Sequence, residues 1–89
     1  MSRPDDALVA LGRTIRELRE EQQLSRRTLA QRAGMTPRRL RAIENARHDP
    51  TFDVIFALAR PLHIRPHDLI DRAEELTPDP IPPQPNDGA

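Results

Sequence analysis

The chain has 89 residues, no cysteine, and fourteen basic side chains against fourteen acidic ones. That length allows one small domain, and the missing thiols exclude disulfides and a thiolate-held metal. No apolar run nears the roughly 20 residues needed to span a bilayer and no signal peptide is legible, so the expected setting is cytoplasmic, away from membranes.

Residues Met1 to Asp6 read as a flexible arm. From Ala7 to Gln22 the apolar Leu8, Leu11, Ile15 and Leu18 recur at spacings of three and four, which predicts a first helix. Ser25 offers an N-cap for a second helix through Ala33, marked by Leu29, Ala30 and Ala33. Gly34 suits the left-handed residue that ends it. Thr36 caps a third helix whose first position is Pro37, where the missing N–H costs nothing, and which runs to about Asn45.

A polar loop, Asn45 to Asp49, leads to Pro50 and then to Thr51, which caps a fourth helix carrying Phe52, Ile55, Phe56, Leu58 and Ala59. Pro61 ends that helix near Arg60. Pro66 starts a fifth, with Leu69, Ile70, Ala73 and Leu76. These four residues either close the domain's own core or form a dimer interface. Beyond Thr77 the text PDPIPPQPNDGA contains five prolines and reads as a disordered tail over 77–89. The ordered domain is thus expected over 7–76, and the fold is all-α.

The charge balance hides a segregation. Between Arg13 and Arg47 stand ten arginines and four glutamates, a net +6; from Asp49 onward three arginines meet eight acids, a net −5. One face for an anionic partner is implied. Arg26 and Arg27 open the second helix, and Arg38 and Arg39 the third. Cations in a first turn oppose the helix dipole at about 0.3–1 kcal/mol each, and a bound polyanion would compensate them.

At about 100° per residue, Leu40, Ile43, Glu44, Thr36 and Pro37 share one side of the third helix. Arg38, Ala42 and Asn45 occupy the opposite side, with Arg39 and Arg41 on the flanks. The same geometry turns Arg19 to the core side of the first helix, where it would meet Glu44. Arg13, Arg26, Arg27, Arg41 and Arg47 are the expected phosphate ligands. Arg38 and Arg39 would read guanine, and Ala42 would meet a thymine methyl.

The run LSRRTLAQRAGMTPRRLRAIENARHDPT resembles the helix-turn-helix of the Cro/C1-type (XRE-like) family of phage and bacterial repressors. The likeness extends from Leu8 to Leu76. It implies a compact five-helix lambda-repressor-like domain whose second helix crosses the DNA backbone while the third enters the major groove. On this likeness Thr36, Arg38, Arg39 and Ala42 match base-reading positions. Arg26 stands where a glutamine usually holds a phosphate, Asn45 matches a backbone contact, and Arg19 with Glu44 matches a buried ion pair. The implied function is sequence-specific binding of double-stranded DNA by a transcriptional repressor, acting as a homodimer in a bacterial or phage setting.

Besides Arg26 in place of glutamine, three positions depart from the family: Gln23 where glycine commonly ends the first helix, Arg65 in place of a small cap for the fifth, and Pro61 shortening the fourth. An enzyme is not expected, since no nucleophile with its base, phosphate loop or zinc motif is present. No cofactor and no metal are expected either; Arg65-Pro66 at a helix start separates His63 from His67. The rival reading is an antitoxin or adaptor of the same fold, whose main partner would be a toxin or another protein.

Overall fold

In the computed structural model residues 4–76 are described, and they contain five helices and no strand. These are α1 (Pro4–Glu21), α2 (Arg26–Ala33), α3 (Pro37–Glu44), α4 (Phe52–Ala59) and α5 (Pro66–Leu76). The tail over 77–89 lies outside the described residues. α1 begins at Pro4, so residues 4–6, expected within the arm, are helical, and residues 1–3 lie outside the described residues. A proline is well suited to the first helical position, where its N–H would have no partner anyway.

Three helix starts are fixed by side-chain oxygens. Ser25 Oγ accepts from the Thr28 amide at 3.0 Å, Thr36 Oγ1 from Arg39 at 3.1 Å and Thr51 Oγ1 from Val54 at 3.4 Å. Each contact satisfies one of the amides that a helix start leaves without a partner.

The exits of α1 to α4 share one device. After each helix a residue takes a left-handed conformation: Gln23 (φ 58°), Gly34 (φ 73°), Ala46 (φ 59°) and His63 (φ 56°). Its amide and the next one reach back to two late carbonyls, the Schellman pattern. The outer bonds run from Leu24 to Arg19, Met35 to Ala30, Arg47 to Ala42 and Ile64 to Ala59. Leu24, Met35 and Ile64 then pack on the core. Arg47, at the fourth of these positions, is exposed instead. Only Gly34 takes the conformation without a Cβ penalty; the other three each cost about 1 kcal/mol or more. The weak cap foreseen at Gln23 is real, and two further exits share it.

The core is aliphatic: Ile15 and Leu18 from α1, Leu29 and Ala30 from α2, Leu40 and Ile43 from α3, Leu58 from α4, Leu69 from α5. α5 lies along α1, α3 packs on α1 and α2, and α4 packs on α2 and α5. One close approach sets the seat of α3. A Cβ built on Gly12 would stand 2.5 Å from the Ile43 carbonyl oxygen and 2.7 Å from that of Glu44. Only glycine lets α1 run this close beneath the last turn of α3.

Burial sorts the apolar residues of α4 and α5. Phe52 and Phe56, counted among the apolar marks of the fourth helix, are 74% and 59% exposed. FDVIFALA is apolar almost all round, and its inward side is taken by Val54, Ile55, Leu58 and Ala59. On α5, Leu69 and Ala73 are buried and Ile70 packs against the core, so these three residues help close the domain's own core. Leu76 alone of that set is exposed.

Candidate nucleic-acid interface

The left-handed turn at Gly34 and the threonine cap at Thr36 set α3 at the domain surface. Its inner side is Leu40, Ile43 and Glu44, all buried. Arg38, Arg39, Arg41 and Asn45 are exposed and Ala42 is half-buried between them. Thr36 and Pro37, on the inward side by helical angle, are exposed because the helix begins there, beyond the edge of the core.

Arg38, Arg41, Ala42, Asn45 and Arg47 line one concavity of about 260 Å3. Arg47 reaches it through the turn at Ala46, where its amide bonds the Ala42 carbonyl at 2.8 Å. The lining has three guanidinium groups, one amide, one methyl and no carboxylate. Among the described residues, no acid pairs with Arg27, Arg38, Arg39, Arg41 or Arg47. Such a surface offers forked donors for a phosphate or a base edge, and an apolar contact small enough for a methyl group.

Behind it lies a buried charge cluster. Arg19 Nε donates to Glu44 Oε2 at 2.8 Å and its Nη2 to Oε1 at 3.2 Å, the expected pair in bidentate form. The remaining Arg19 Nη1 donates to the Leu24 carbonyl at 2.9 Å. A third member was not foreseen: Arg26 Nε donates to Glu44 Oε1 at 2.8 Å. The Glu44 side chain has no exposed area, whereas that of Arg26 keeps 33%. α1, α2 and α3 are thus tied at one carboxylate.

Arg26 thus has an internal partner that the sequence did not indicate. Its first-turn charge is compensated by Glu44, and the case for an external anion rests on Arg27, Arg38 and Arg39. A buried carboxylate has about four acceptor sites and one arginine fork fills two, so a second donor was a foreseeable need. Arg13 also has a partner, Glu17 at 2.9 Å on the same helix; both are solvated, and such pairs are weak. The structure gathers Arg38, Arg41, Ala42, Asn45 and Arg47 at one concavity that Arg13, Arg26 and Arg27 do not line.

The profile of the helix-turn-helix domain family matches residues 10–73. The chain belongs to that family. Its fold is similar to that of C.AhdI, a restriction-modification controller protein from Aeromonas hydrophila. The TM-score is 0.68 and the identity 34% over 70% of this chain and 94% of that one. Two structures of the clp gene regulator ClgR from Corynebacterium glutamicum share the fold at TM-scores of 0.75 and 0.77. They are 22% and 21% identical, over 78% and 81% of this chain and 73% and 92% of theirs. No curated protein matches the chain in sequence. The Cro/C1-type resemblance read from Leu24 to Thr51 agrees with these neighbours. No helix among the described residues is long and apolar enough to cross a membrane.

Proposed function

We propose that this DNA-binding regulator is a repressor that recognises a specific duplex sequence as a homodimer, each copy laying α3 in the major groove. The observation that carries this reading is the outer side of α3: exposed, unpaired Arg38, Arg39 and Arg41 around a small Ala42, over an inner side locked by Glu44. A rigid helix with a cationic outer strip is what groove reading requires.

In this reading Arg38 and Arg39 donate to guanine O6 and N7, Ala42 meets a thymine methyl, and Thr36 contacts a base edge from the helix start. Arg27, Arg41, Asn45 and Arg47 hold phosphates and set the register. Arg13 joins them by exchanging Glu17 for a phosphate. Arg26 contributes through the exposed third of its side chain while its Nε stays on Glu44. The role is binding, not catalysis, and the setting is the cytoplasm. Half-sites about one helical turn apart would match the two-fold symmetry of a dimer.

The test is a titration of duplex DNA, selected from a random pool, across a series of salt concentrations. With several phosphates neutralised, affinity falls steeply and linearly on logarithmic axes. A flat response contradicts the proposal.

A further inference from the structure

The bond from Arg26 to Glu44 is more than the buried carboxylate needs for its own charge. Arg19 already neutralises Glu44 through a two-pronged fork and is itself buried. Arg26 brings a second cation, so two positive charges stand against one negative. Its long side chain, half-buried, gives up rotamer freedom to make the contact. What it supplies in return is direction.

The inner side of α3 rests on Leu40 and Ile43, and apolar contacts are non-directional. They hold the helix down without fixing its rotation about its own axis. Hydrogen bonds depend on angle as well as distance, so bonds to Glu44 do fix it. Two of these come from the end of α1 and one from the start of α2. The last joins α2 to α3. Arg27, next to Arg26, is exposed on α2, and Arg38 is exposed on α3. In the proposed complex the first holds a phosphate and the second a base edge. The bond from Arg26 therefore sets where α3 stands in the groove once α2 has gripped the backbone.

We propose that Arg26 is a positioning residue for sequence discrimination, acting through Glu44 to fix α3 against α2. The inference rests on the reading of the outer strip of α3 as base-reading, and it gives Arg26 a role separable from any phosphate contact of its own. Base reading needs side chains held to within about half an ångström by supporting contacts. Phosphate contacts carry no sequence information and survive small shifts. Loss of the tie thus lowers preference more than overall affinity.

Two variants separate the tie from the charge. In Arg26→Gln the side-chain Nε2 stands as many bonds from Cα as the arginine Nε did, so a neutral N–H can still donate to Glu44. In Arg26→Met a methyl group takes that place and the tie is gone. Both lack the guanidinium charge, so any phosphate contact is lost from both alike. Affinity of the full chain is measured on the selected duplex and on random duplex at one salt concentration. The two variants should bind random duplex equally. Arg26→Gln should keep the wild-type ratio of selected to random affinity within about twofold, while Arg26→Met lowers it about fivefold or more.

Glu44 keeps its fork from Arg19 in both variants, so both should fold, which urea unfolding checks. Arg26→Ala removes the same tie and must show the same drop if methionine upsets the fold. Equal ratios in Arg26→Gln and Arg26→Met, whether both kept or both lost, overturn the inference, because Arg26 would then act by charge alone or not at all. A wild type with no preference for the selected duplex removes the proposed function itself, and the wild-type ratio tells that outcome from this one.

Discussion

α3 and α4 are the same device with different outer surfaces. Each is eight residues long, capped by a threonine, and left through a non-glycine residue in the left-handed region, Ala46 or His63. Each buries aliphatic side chains inward: Leu40 and Ile43 from one, Val54, Ile55 and Leu58 from the other. Outward, α3 carries arginines around a methyl, and α4 two phenyl rings beside one acid, Asp53, and one base, Arg60. What the helices share makes the fold, and where they differ lies the function. The first outer surface suits a polyanion.

The sharpest way to break the comparison is at the inner side of α3, which α4 has no counterpart for. Glu44→Gln strips the carboxylate from between Arg19 and Arg26 and leaves Arg19 buried with an uncompensated charge. Removing one partner of such a buried pair costs about 3–5 kcal/mol. Urea unfolding should show that loss, with DNA affinity falling alongside because α3 loses its tie to α1 and α2. An unchanged midpoint would mean the cluster adds nothing to stability. Gly12→Ala comes next: its methyl must push against two backbone carbonyls, which do not yield as a flexible side chain would. A loss of about 1–3 kcal/mol is expected in the same assay.

The smallest effect sharpens the likeness of the two exits. Ala46→Gly and His63→Gly each relieve a left-handed Cβ, offset in part by the greater freedom of glycine in the unfolded chain. Each should stabilise by up to about 1 kcal/mol, read as a rise in Tm. A fall at either site would show that its side chain contributes more than its backbone costs.

The starts of α2 to α5 were legible because caps are local. Ser25, Thr36 and Thr51 act within three residues of themselves, and Pro37 and Pro66 mark helix starts directly. The outer strip of α3 was legible too, since its apolar and charged residues separate cleanly by angle. FDVIFALA was not, because periodicity cannot orient a helix that is apolar nearly all round. Arg26 escaped for another reason: its partner lies eighteen residues away on a different helix, and no angle within α2 points to it. Gly12 carried no signal at all, since its constraint is the backbone of α3 passing above it. In each of these three cases the deciding neighbour belongs to another part of the chain.

The most direct measurement compares Arg38→Ala with wild type on the selected duplex and on random duplex at one salt concentration. Arg38 is exposed, so folding should be unaffected. The account predicts a loss of about 1–3 kcal/mol on the selected site, a much smaller loss on random DNA, and relaxed preference at one base position. Equal weakening on both would make Arg38 a phosphate ligand only and contradict base reading by the outer strip of α3.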